Sequence, residues 1–165
     1  MFDKFPMPNI NERRVAYYGE SSGYLHLVQV HNRQKLTFYN IYEMNSDGTE
    51  WYMKYQVNVE DVVNTFPHMI RHYHDPTNWN YLAMSVLCVV RGKKEEEEAF
   101  MILHIPKMVI SYNLRDNTFY KLHEFGNNSI EENQFEDEDG DYEVPISLQF
   151  DRFSAFQYVE SLFCM

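Results

Sequence analysis

Between Arg14 and Val57, apolar and polar residues alternate in four short runs, each closed by turn-forming residues. RVAYYGE runs into SSG, YLHLVQVH into NRQ, KLTFYNIYEM into NSDG, and EWYMKYQV completes the group. A period of two is what a strand with a buried face requires. Leu36, Phe38, Tyr42 and Met44 share one face of the third run with Asn40. Trp51, Met53, Tyr55 and Val57 share one face of the fourth without a break. Asp47-Gly48 is the strongest turn signal, because Gly tolerates the positive φ of a tight hairpin. The period then changes. In NVEDVVNTFP, Val59, Val62, Val63 and Phe66 fall at i, i+3, i+4 and i+7, which predicts a short amphipathic helix. Asn58 is placed to cap it, acids fill its first turn, and Pro67 marks its end. HMIRHYHDPTNWN reads as a loop, with Asp75-Pro76 as a turn.

From Tyr81 to Phe125 the strand pattern returns in YLAMSVLCVVR, AFMILHIP, MVISYNLRD and TFYKLHEF. In the first of these, Leu82, Met84, Val86, Cys88 and Val90 occupy one face and Leu87 and Val89 the other, as in a strand covered on both sides. Arg115-Asp116-Asn117 suits a tight turn. The second group repeats the first roughly 70 residues downstream. TFYNIYEMNSDGTEWYMKYQV and MVISYNLRDNTFYKLHEF even match as hairpins. The predicted fold class is therefore mainly β, with two four-stranded antiparallel propeller-like blades and one short helix. The domain expectation is one unit over 1–165. Within it lie blade-like parts at about 14–57 and 81–125, an acidic loop at 126–143, and a C-terminal segment at 144–165. In that segment VPISLQF reads as a strand, and AFQYVESLFCM fits a strand or a short helix. A propeller typically has about 4–8 blades, so two form a partial propeller whose apolar faces need a cover. A second copy or a partner protein is the expected cover.

Composition sharpens this picture. Over 165 residues, 44% are hydrophobic and 16% aromatic, which suits a folded domain rather than a disordered chain. The 13 Tyr and 12 Phe fit pleated, half-buried strands. A net charge of −11 opposes binding to nucleic acid and to anionic membranes, both of which need cations. No run approaches the ~18 apolar residues of a membrane span, and MFDKFPMPNINERR lacks a signal-peptide core. Cys88 and Cys164 read as reduced thiols. The expected location is the cytoplasm, the nucleus or both. The block GKKEEEE, between VVR and AFMILHIP, reads as the exposed loop of a hairpin, with Gly92 helping the chain to turn.

Candidate chemistry is sparse. His68, His72 and His74, beside Asp75, form a weak candidate metal site. His68 and His72 have helical spacing, but two prolines flank the group and the HExxH glutamate is missing. DEDGDYE fails as a calcium loop, because Phe135 and Ile146 fall where acids are required. No GxSxG elbow, P-loop or dinucleotide fingerprint is present, and Cys88 within an apolar strand makes a poor nucleophile. His26 and His104 read as sheet histidines. The expectation is a non-enzyme without cofactor or metal. Tyr39, Tyr42, Trp51, Tyr52 and Tyr55 are the protein-binding candidates, since aromatics dominate interface hot spots.

Four ordered segments carry a family likeness: YYGESSGYLHLVQV, YEMNSDGTEWYMKYQVNVEDVVNTFPHMIR, SVLCVVRGKKEEEEAFMILHIPKMVISYNLRDNTFYKL and FQYVESLFCM. From about Glu12 to Met165 the chain resembles the C-terminal half of plant F-box proteins with an F-box-associated, kelch-like propeller domain. In that family a helical F-box binds the Skp1 adaptor of a cullin-RING ubiquitin ligase, and the propeller selects the target protein. The sequence enters the propeller-like part almost at once, so Skp1 binding is not expected of it. The resemblance implies a protein-recognition module that binds a target, or a full-length F-box relative, without recruiting the ligase. Three alternatives stand beside it. One is a fragment of a full-length F-box substrate adaptor. Another is a self-assembling regulatory or toxin-like protein, and the last is a metal-dependent hydrolase using His68, His72 and His74.

Overall fold

In the computed structural model, which describes residues 14–126, the first group of alternating runs forms a sheet of four antiparallel strands in sequence order. These are β1 (Arg14–Ser21), β2 (Tyr24–Asn32), β3 (Lys35–Met44) and β4 (Trp51–Asn58). The second group forms an equivalent sheet of β5 (Ser85–Val90), β6 (Phe100–Ile105), β7 (Met108–Asn113) and β8 (Phe119–Glu124). The segment that joins them holds α1 (Glu60–Thr65) and a 3-10 turn, Pro67–Met69. The fold is mainly β, with two blade-like antiparallel meanders and one short helix. The final strand, the terminal segment, Cys164 and all of the acidic loop beyond Gly126 lie outside the described residues.

Turn chemistry accounts for the hairpins. Ser22 and Gly23 both have positive φ, 53° and 83°, which gives the two-residue turn whose twist matches the flanking strands. The β3–β4 and β7–β8 turns repeat one device. Asp47 and Asp116 each accept hydrogen bonds from the backbone N–H and the hydroxyl of the threonine two residues on. The matching hairpins of the sequence thus occupy matching places in the two sheets.

Apolar side chains from both sheets meet in one layer. Val28, Ile41, Met101, Leu103 and Ile110 are fully or almost fully buried there. β1 and β5, the first strands of the two sheets, lie side by side. Val59, Val62 and Val63 of the predicted helical stripe are buried in the same layer, with Phe66 packed against it. Asn58 serves the helix from one residue further out than a cap, its Oδ1 accepting the Glu60 N–H at 3.1 Å. The Tyr112 hydroxyl of β7 donates to the Asn58 carbonyl at 3.1 Å, tying the second sheet to the end of the first.

Two expectations about strand faces are corrected. β4 does not keep Trp51, Met53, Tyr55 and Val57 on one side, because its pairing with β3 shifts between Ile41 and Tyr42. Lys54 is the extra residue, and a one-residue bulge exchanges the faces on either side of it. Tyr55 and Val57 therefore join the inner layer, while Met53 pairs with Tyr42 on the outer face and is 52% exposed. A bulge at Leu87 does the same in β5, so Val86 and Val89 both point inward. Tyr81–Met84 lie before that strand, and only Leu82 makes a bridge, to Ile70.

Candidate functional site

The charge block joins β5 to β6 as an exposed loop, as expected, but Arg91 at its start turns the other way. Its Nε donates to Glu43 Oε2 at 3.0 Å, carrying a charge from the second sheet into the first. Glu43 is wholly buried in β3. His26 of β2 lies directly across from it and donates through Nε2 at 2.9 Å. From β4, Tyr52 donates its hydroxyl at 2.6 Å and Lys54 its ammonium at 2.9 Å, both to Oε1. Tyr52 and Lys54, two residues apart on β4, share the face turned to Glu43 by ordinary strand alternation. Arg91 also lies over the Tyr24 ring, 3.8 Å from its centroid. Its backbone is held by Ser21 and Ser22 in the β1–β2 turn.

Burial by itself would raise the Glu43 pKa, but the four donors outweigh it and hold the carboxyl down at about 2. Burial lowers the pKa of His26 against the opposing pull of Glu43, so its imidazole is neutral near pH 7. Burial and the neighbouring carboxylate raise the Tyr52 hydroxyl well above its ordinary value. A carboxylate so fully engaged and so acidic neither takes nor gives a proton at neutral pH. Its chemistry is that of a clamp between the sheets.

Gly92 matters here for closeness rather than for φ. A Cβ at that position would come within 2.3 Å of Glu97 Cβ, and the Glu97 carboxylate accepts the Lys93 N–H at 2.7 Å. The Arg115 guanidinium donates to the carbonyls of Glu95 and Glu96, bracing the loop from the β7–β8 turn. The β1–β2, β3–β4, β5–β6 and β7–β8 loops therefore gather at one end of the molecule.

The aromatic candidates divide by depth. Tyr39 and Tyr42 are buried, Tyr39 in the inner layer, and Tyr55 packs against that layer. Trp51 and Tyr52 reach the surface at the hairpin end. Tyr18 is 52% exposed and meets the Trp51 ring edge-on at 6.3 Å. Tyr18 pairs through Leu27 with Tyr42, so it shares the outer face with Met53 and Trp51.

The histidines do not converge. His68 Nε2 meets the Pro106 carbonyl at 3.1 Å, and His74 lies against the Tyr73 ring. Among the described residues, no three His, Cys, Asp or Glu side chains stand where they could hold a metal ion. His104 is buried in β6, edge-on to Phe125. No helix among the described residues is long and apolar enough to cross a membrane.

Comparison with known proteins gives one significant relationship. The chain is 37% identical over 123 residues to F-box protein At5g07610 of Arabidopsis thaliana, a match covering 73% of this chain and 27% of that protein. The chain is a relative of a plant F-box protein. It spans little more than a quarter of that relative's length. No family model and no solved structure matches it.

Proposed function

We propose that this chain is a protein-recognition module related to the target-binding region of plant F-box ubiquitin-ligase adaptors. The observation that carries the reading is the 37% identity over 73% of the chain to an F-box protein. The described body supports it, because its helical structure is confined to Glu60–Thr65 and Pro67–Met69. A helical ligase-binding element is thus not part of that body, whereas two sheets with exposed aromatic side chains are. The module acts by occupancy. It holds a target protein, or pairs with a full-length F-box relative, without itself recruiting Skp1. Affinity purification from plant tissue, followed by a Skp1 pull-down with the purified chain, tests this. A reproducible protein partner and no retention of Skp1 are expected. Absence of any consistent partner overturns the recognition role, and direct Skp1 binding overturns the mode.

A second reading is that the sequence forms part of a longer F-box adaptor, consistent with its matching 27% of the relative. An F-box encoded upstream in the same reading frame would favour it, and the recognition role of the described sheets would be unchanged.

A further inference from the structure

The outer face of the first sheet ends in a platform of unusual composition. Tyr18 stands on β1 and Trp51 on β4, the two border strands, yet their rings meet at 6.3 Å. They can do so only by leaning towards each other across β2 and β3. Met53, 52% exposed, continues the platform along β4. Glu20, two residues from Tyr18 and on the same face by strand alternation, exposes a carboxylate beside it.

The protein's own cations show what such a surface accepts. Arg91 lies over Tyr24 with a carboxylate beside it, Arg33 lies over Trp79, and Lys35 over Phe38. Among the described residues, no cation is placed over Tyr18 or Trp51. The surrounding charge selects the same kind of occupant. The exposed Glu95–Glu98 run stands at this end of the molecule, in the β5–β6 loop whose first residue, Arg91, is held by Ser21 and Ser22 of the β1–β2 turn. Phosphate-bearing ligands are repelled there, and cationic ones are steered in.

We propose that this face is the docking surface for a protein segment carrying arginine or lysine, whose cation lies over the Tyr18–Trp51 rings and pairs with Glu20. The proposal rests on the recognition role above and names its partner chemistry. Aromatic rings supply low-entropy contact area and a negative π-face, and the carboxylate supplies direction.

A fluorescein-labelled Arg-Ser-Gly repeat peptide and its Gln-Ser-Gly counterpart, titrated by fluorescence anisotropy, provide the test. The arginine peptide binds and the glutamine peptide does not, and binding weakens as salt rises. Tyr18→Leu and Glu20→Gln each weaken binding about two- to fivefold, and the double variant roughly tenfold. Tyr120→Ser, an exposed change on β8, leaves it unaltered. Tyr18 and Glu20 are exposed, so an unchanged urea midpoint confirms that the variants fold. Binding by the double variant within about twofold of the parent overturns the proposal, as does equal binding of the glutamine peptide. A parent dimer that Glu20→Gln dissociates also overturns it, by making the occupant a second copy. Purification with the double variant separates this site from the wider role. A partner retained by both proteins leaves the recognition role standing and removes this surface, whereas no partner for the parent removes the role itself.

Discussion

Glu43→Gln is the perturbation with the largest expected effect. The side chain keeps its size and an acceptor oxygen, but its charge disappears from a pocket holding Arg91, Lys54, Tyr52 and His26. The Glu43 pKa falls from an ordinary 4.5 to about 2. At 1.36 kcal/mol per unit, that corresponds to roughly 3 kcal/mol of stability at neutral pH. Removing one partner of a buried ion pair costs a comparable 3–5 kcal/mol in general. Against a total of about 5–15 kcal/mol, the loss is large. With an m-value of about 1–3 kcal/mol/M, the urea midpoint should fall by about 1 M or more. Acid supplies an independent readout. Because the folded pKa lies below the unfolded one, the Glu43 contribution is complete above pH 4.5 and disappears as pH falls towards 2. Depression of the His26 pKa acts in the same direction. The unfolded state takes up that proton first, and stability declines as pH drops below 6.5. Glu43→Gln should abolish the loss between pH 4.5 and 2. A variant with an unshifted midpoint and the parent's acid profile would refute the clamp.

Gln29 is fully buried with neither amide atom hydrogen-bonded. Gln29→Leu should therefore raise stability by about 1–2 kcal/mol, and a lower urea midpoint would contradict that. Gly92→Ala forces a Cβ against Glu97 and should lower the thermal midpoint by several degrees, about 1–2 kcal/mol, with faster proteolysis in the Lys93–Glu98 loop. Tyr112→Phe removes the hydrogen bonds to Asn58 and Asn117 and should cost about 1 kcal/mol in urea denaturation. In the parent, burial pushes the Tyr112 hydroxyl up to about 12, as it raises those of Tyr39 and Tyr52, so ultraviolet titration of this variant should show one tyrosine fewer above the ordinary range.

The strands, their order and most turns were legible in the sequence because local alternation and turn chemistry act over a few residues. The Asp-x-Thr turns at Asp47 and Asp116 are visible in this way, and so is the helical stripe at Val59–Phe66. Strand faces were less legible. Nothing in WYMKYQV marks Lys54 as a bulge, since the extra residue is defined by its pairing with β3 rather than by its type. One such residue reverses every face beyond it. The clamp was hidden for a related reason. Arg91 belongs, on paper, to a run of surface charge, and Glu43 to an aromatic strand. Only the packing of the sheets brings residues 48 apart in the sequence together. Two of the five aromatic candidates are buried, because tyrosine in a sheet serves packing as readily as recognition.

The clamp also explains how two sheets joined by an apolar layer hold one alignment. Contacts among Val28, Ile41, Leu103 and Ile110 are non-directional and would tolerate a sliding displacement. The Arg91–Glu43 pair does not tolerate one. A shift of a single strand residue, about 3.4 Å, would take the Arg91 guanidinium from its carboxylate and leave Glu43 only the partners of its own sheet. The ion pair thus gives less net stability than its Coulomb energy suggests, but it sets the alignment of one sheet on the other. That alignment fixes where the β5–β6 loop stands relative to the β1–β2 and β3–β4 hairpins. The acidic loop and the Tyr18–Trp51 platform belong to different sheets, so their relative position depends on this one buried carboxylate. Glu43→Gln should therefore weaken binding of the arginine peptide at low salt, although Glu43 itself never reaches the surface.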